Sequence, residues 1–146
     1  GDVALAAGTL LVSAIHQAIP GSLHRISPLL LALGIPAALA FLIAILFDCV
    51  PEHRFVPRAW TCFRAGIPVA ALAGLAAWLT LRRGCILAPR LAGATAGLLS
   101  GLAGTAMLSL HCPDTNAFHV LTGHLGVALA GAALGAAFQP ARRTTS

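Results

Sequence analysis

Apolar residues run along this chain in long blocks separated by short polar punctuation. Five blocks, at about 3–19, 27–47, 65–81, 91–110 and 117–138, hold uncharged and mainly apolar sequence. Roughly 17–25 such residues are enough to carry a helix across the hydrocarbon core of a bilayer. The second block closes at Asp48 and the third at Arg82-Arg83, and the fifth is interrupted only by His119 and His124. Between the blocks, Pro20-Gly21-Ser22, Pro51, Pro57, Pro89, Pro113 and Pro140 mark breaks. Pro36 and Pro68 fall inside blocks, where neighbouring helices can satisfy the carbonyls a proline frees. The pattern predicts an all-α fold, a polytopic membrane helical bundle of five spans forming a single domain over residues 1–146.

Composition narrows this further. Of 146 residues, 58% are apolar and 9% are charged, against about 25% charged in an ordinary soluble domain. The mean hydropathy is +0.90. A soluble globule, a disordered chain and a disulfide-stapled secreted module are all poor fits. The net charge of +5 is the balance of nine arginines against four acidic residues, too thinly spread to line a nucleic-acid groove, so no direct nucleic-acid contact is expected. The lipid bilayer is the expected surroundings.

Arginine placement predicts the orientation. One face collects Arg25, Arg82, Arg83, Arg90, Arg142 and Arg143 with no acid. The other collects Arg54, Arg58 and Arg64 with Asp2, Asp48, Glu52 and Asp114. The positive-inside tendency puts the first face, and the C-terminus, in the cytoplasm. Outer loops are then expected at about 48–64 and 111–116. The chain opens Gly1-Asp2-Val3 without a methionine, which with the odd span count reads as a piece lacking an upstream helix.

Small residues recur every four positions in the fourth block, at Gly93, Gly97 and Gly101 with Thr105 next, and Gly131 and Gly135 repeat the spacing in the fifth. Such stripes let helices in lipid approach backbone to backbone. Packing of these two spans on each other within the chain is the favoured reading.

The side chains that carry chemistry gather at the expected outer face. Cys49, Cys62 and Cys112 fall there, while Cys85 follows Arg82-Arg83 on the inner side. Disulfides persist outside the cytoplasm, so Cys62 and Cys112 could pair, with Cys49 an alternative partner. His111 precedes Cys112, and His119 and His124 head the last block. Thiolate and imidazole suit copper, zinc and cadmium, which makes Cys62, Cys112, His111, His119 and His124 candidate metal ligands. The spacing matches no standard metal motif. His119 and His124 lie five positions apart, about 140° around a regular helix. Both could face one ion only through a local distortion, or one alone could join the two cysteines. For His16, His24 and His53, ordinary hydrogen bonding is the better reading.

No nucleophile elbow, phosphate loop or zincin motif is present, so an enzyme is not expected. A quinone-linked thiol oxidoreductase would normally use a C-x-x-C pair, which is lacking. A permease subunit for metals or small molecules would want polar residues at mid-membrane, and the blocks are nearly bare of them. Both remain alternatives.

The tracts Trp60-Thr61-Cys62-Phe63-Arg64-Ala65-Gly66, Leu81-Arg82-Arg83-Gly84 and Leu110-His111-Cys112-Pro113-Asp114, with the glycine-rich stretch 93–104 between the last two, resemble the NrsF-type membrane anti-sigma factors. The loop from Pro20 to Pro28 is similar as well, so the resemblance runs along nearly the whole chain. It implies a six-span protein of the bacterial inner membrane, of which this chain would hold five spans. It also implies a regulator that holds an extracytoplasmic-function (ECF) sigma factor inactive at the cytoplasmic face. Release would follow when the cysteines matched by Cys62 and Cys112 meet metal or oxidant. Gly123 stands where the pattern has an aromatic residue, and Cys49 and Cys85 look like additions to it.

Overall fold

A computed structural model describes residues 28–50, 54–83 and 88–138. Four helices make up nearly all of it. They are α1 (Pro28–Leu46), α2 (Phe55–Leu81), α3 (Pro89–His111) and α4 (Ala117–Ala137). The fold is all-α, and no strand is present among the described residues.

Three of these helices, α2, α3 and α4, are long and apolar enough to cross a membrane. In α1 the apolar stretch Leu33–Leu46 is shorter. The block at 3–19 lies outside the described residues. Five spans are therefore not reached, and three stand among the described residues. Leu72, Leu75, Leu110 and Phe138 are among many large apolar side chains left exposed, an exterior compatible with a bilayer and unlike that of a soluble monomer.

The third block begins earlier than its uncharged stretch suggests. Helix α2 starts at Phe55, so most of the loop expected at 48–64 is helical and Cys62 sits two turns inside. Charge counting stops a span at Arg64 and Arg58, but a helix continues wherever charged side chains can reach out to a polar phase. Pro57 is tolerated in the opening turn, where its missing N–H has no intrahelical role. The rise of about 1.5 Å per residue makes α2 about 40 Å long, so it extends beyond a core of about 30 Å.

Helix α3 is the hub. Its buried positions include Leu98, Leu102 and Leu108 as well as Gly93, Gly97, Gly101 and Gly104. With Leu39 of α1 and Leu125 and Ala128 of α4, Leu98 and Leu102 form the apolar core. Against α4 the contact is backbone to backbone. A methyl group built on Gly93 would fall onto the Gly135 carbonyl oxygen, and one on Gly97 onto that of Gly131. One on Gly131 would fall onto the carbonyl of Gly97, so the seam is reciprocal. The hydroxyls nearby are satisfied within their own helix, Thr95 donating to Leu91 and Ser100 to Gly97. Such pairing removes the cost of burying a polar group in an apolar bundle.

Candidate metal centre

At the Cys112 end of the bundle the chain makes a short polar turn between α3 and α4. Cys112 leaves α3 in extended conformation, and Pro113 prevents the helix from continuing. The Asp114 carboxylate accepts the Asn116 N–H through Oδ1 at 3.0 Å. Asn116 then caps α4, its side-chain oxygen accepting the N–H groups of Phe118 (3.0 Å) and His119 (3.3 Å). Asparagine is among the strongest residues for this position, because its side chain serves donors that have no helical partner. Two further bonds tie the turn to the segment after α1. Asn116 Nδ2 donates to the Val50 carbonyl at 2.7 Å, and the Ala117 N–H donates to that of Asp48 at 3.0 Å.

Beyond the cap, α4 is not a regular α-helix. Val120–Leu125 is a π-helical turn, in which N–H groups reach back five residues rather than four. That is the local distortion the five-residue spacing of His119 and His124 requires. The two rings lie 5.5 Å apart, edge to face, and both are buried. The widened turn is held from α3, where the Thr105 hydroxyl donates to the His124 carbonyl at 2.8 Å. It also needs a close neighbour. A methyl group on Gly123 would stand 3.0 Å from the Ala59 carbonyl oxygen of α2.

These constraints bring four side chains from three helices together. The ligand atoms of Cys62, Cys112, His119 and His124 all lie within 4.8 Å of one another. Both cysteines are free thiols. The Cys62 and Cys112 sulfurs are 3.7 Å apart, and Cys112 Sγ is 3.3 Å from His119 Nε2. A tetrahedral ion with bonds of about 2.3 Å to sulfur and 2.0–2.1 Å to nitrogen has edges of roughly 3.8 Å between sulfurs and 3.5 Å between sulfur and nitrogen. The observed separations sit close to those edges. His124 Nε2 is buried with no hydrogen-bond partner, a costly state for a polar atom unless something else engages it.

The other sequence candidates lie apart. His111 is exposed, with Nδ1 3.0 Å from the Met107 carbonyl, and it stands outside the group of four. Cys49 is exposed, its sulfur 3.5 Å from the Ala44 carbonyl. His16, His24, His53 and Cys85 lie outside the described residues. One residue the sequence reading missed is Asp114, whose Oδ2 lies 3.4 Å from His119 Nδ1. A carboxylate five residues before a candidate histidine ligand, across a proline-started turn, was the available signal.

The family model NrsF, described as "Negative regulator of sigma F", matches residues 2–142. Comparison with curated proteins and with solved structures gives no match.

Proposed function

Because the chain belongs to the NrsF family, the negative regulators of sigma F, we propose that it is a membrane-embedded regulator that restrains an ECF sigma factor at the cytoplasmic face and answers to a metal ion. The family membership supports the regulatory role, and three long apolar helices support the membrane setting. The arginine distribution supports an orientation with the Cys112 end outside and the C-terminus inside, in the bacterial inner membrane.

One observation carries the metal reading: the ligand atoms of Cys62, Cys112, His119 and His124 lie within 4.8 Å of one another, the sulfur–sulfur and one sulfur–nitrogen separation close to tetrahedral edges, with a buried, unpartnered imidazole nitrogen on His124. Two sulfurs and two nitrogens make a set that zinc and cadmium bind in closed, four-coordinate form, with no position left for substrate. Two thiolates also neutralise a divalent ion, which lowers the cost of placing charge among apolar helix ends. The ion would draw the ends of α2, α3 and α4 together. Through the glycine seam, which leaves no slack, that movement would alter the inner ends where the sigma factor is held.

A second reading rests on the two sulfurs, which at 3.7 Å need little movement to join as a disulfide. Oxidant would then replace metal as the signal.

The test is sigma-dependent transcription in a strain producing the full-length protein, with zinc, cadmium, copper or peroxide added. Induction by zinc or cadmium that His124→Ala abolishes supports the metal reading. Induction by peroxide alone, lost in Cys62→Ser and retained in His124→Ala, supports the disulfide instead. Constant sigma activity under every condition contradicts both.

A further inference from the structure

The buried His119 ring faces Cys112 with one nitrogen and Asp114 with the other. Its Nε2 is 3.3 Å from the Cys112 sulfur, and its Nδ1 is 3.4 Å from Asp114 Oδ2 without completing a hydrogen bond to it or to any other described group. The ring is 1% exposed, so water does not arbitrate between its tautomers. A bare Nδ1 would set its lone pair against the carboxylate. A protonated Nδ1 turns that repulsion into attraction and leaves Nε2 bare toward Cys112. The same choice lets both thiols donate along the row and turns Nδ1–H toward a carboxylate. The Cys62 thiol donates to Cys112, the Cys112 thiol donates to His119 Nε2, and His119 Nδ1–H faces Asp114.

We propose that Asp114 is the positioning residue of this centre: it holds His119 in the Nδ1–H tautomer and so presents Nε2 as a ready ligand. This rests on the metal reading above for its consequence, though not for the tautomer itself. Carboxylates behind ligating histidines raise the basicity of the ring and fix its direction, and losing one typically weakens metal binding 10–100-fold. The present separation of 3.4 Å is long for a hydrogen bond. With Nε2 ligated, the ring would be free to turn Nδ1–H into line with the carboxylate, and Asp114 would then hold that direction.

The hydrogen bonding of Asp114 makes one substitution decisive. Its Oδ1 accepts the Asn116 N–H at 3.0 Å, a bond the turn needs. In Asp114→Asn the single amide oxygen stays with Asn116, so the amide N–H₂ points at His119. A donor there selects the opposite tautomer, with Nε2 protonated and closed to metal. Asp114→Glu restores an acceptor.

The experiment uses the full chain in lipid nanodiscs, with ¹⁵N spectra of its histidines in the metal-free state and cadmium ions alone as the binding probe. His119 is assigned by its loss in His119→Gln. The wild type is expected to show His119 protonated at Nδ1 and bare at Nε2. Asp114→Asn is expected to shift His119 to the Nε2–H form and weaken cadmium 10–100-fold, with His124 signals and melting temperature unchanged. Asp114→Glu should return both toward wild type. An unchanged His119 tautomer in Asp114→Asn, with cadmium affinity within twofold of wild type, overturns the proposal and leaves the metal centre standing. A tautomer that shifts as expected in a protein that takes up no cadmium upholds the role of Asp114 and removes the metal reading.

Discussion

Along α3, the stretch from Gly93 to Gly101 and the stretch from Thr105 to Cys112 meet the same partner helix by different means. In the first, backbone lies on backbone, and Gly131 and Gly135 offer no side chain to adjust. In the second, the partner helix widens into a π-turn and the contact passes through a hydroxyl, a thiol and two imidazoles. The seam is therefore sensitive to volume and indifferent to chemistry, whereas the far end is sensitive to chemistry as well. A movement begun at the polar end reaches a region that can only shift as a body, because close-packed interfaces transmit displacement rather than absorb it.

Substitutions that separate volume from chemistry can break this contrast. The largest effect is expected from Gly97→Val, since a Cβ there meets the Gly131 backbone and neither helix can rotate away. A loss of about 3 kcal/mol or more is expected, at the upper end of overpacking costs, read as a collapse of the thermal midpoint in detergent. His124→Ala comes next and reverses the pattern. Cadmium affinity in a chelator competition should fall about 100-fold or more, while the midpoint holds or rises because a buried unpartnered nitrogen is removed. Thr105→Val tests the junction, as this hydroxyl serves both Gly101 and His124. Loss of one buried hydrogen bond costs about 1–2 kcal/mol, and cadmium affinity should drop several-fold as His124 loses its register. The smallest effect belongs to Gly34→Ala in α1, where nothing among the described residues lies within 4 Å. Its midpoint should hold or rise by at most about 1 kcal/mol equivalent, because alanine is the better helix former and meets no neighbour. A Gly34→Ala as damaging as Gly97→Val would refute the claim that close approach, rather than glycine itself, matters at the seam.

How far the sequence reached follows the same division. The glycine stripe was legible because a four-residue repeat falls on one helical face whatever surrounds it. Helices α3 and α4 were legible to within a few residues, since bilayer thickness sets their length and Pro89 and Pro113 mark the breaks before them. The beginning of α2 was not, because a charge count registers the edge of the hydrocarbon and not the end of a helix. Cys62, Cys112, His119 and His124 could be named from residue type and from clustering at one end. Their geometry could not, because a reading at 3.6 residues per turn sets His119 and His124 on different faces, and only the π-turn brings them together. His111 shows the converse: adjacent to Cys112 in sequence, it reaches back to Met107 and leaves the group. Asp114 was read as surface charge, and its role depends on a turn that returns it to the head of α4.

The central claim is that four side chains form one metal centre, and X-ray absorption at the metal edge tests it most directly. The full chain in nanodiscs, loaded with one equivalent of zinc, should show two sulfur ligands at about 2.3 Å and two nitrogen ligands at about 2.0–2.1 Å. One sulfur should be lost in Cys112→Ser. A first shell of oxygen and nitrogen alone, or zinc that washes away with the buffer, would contradict the account.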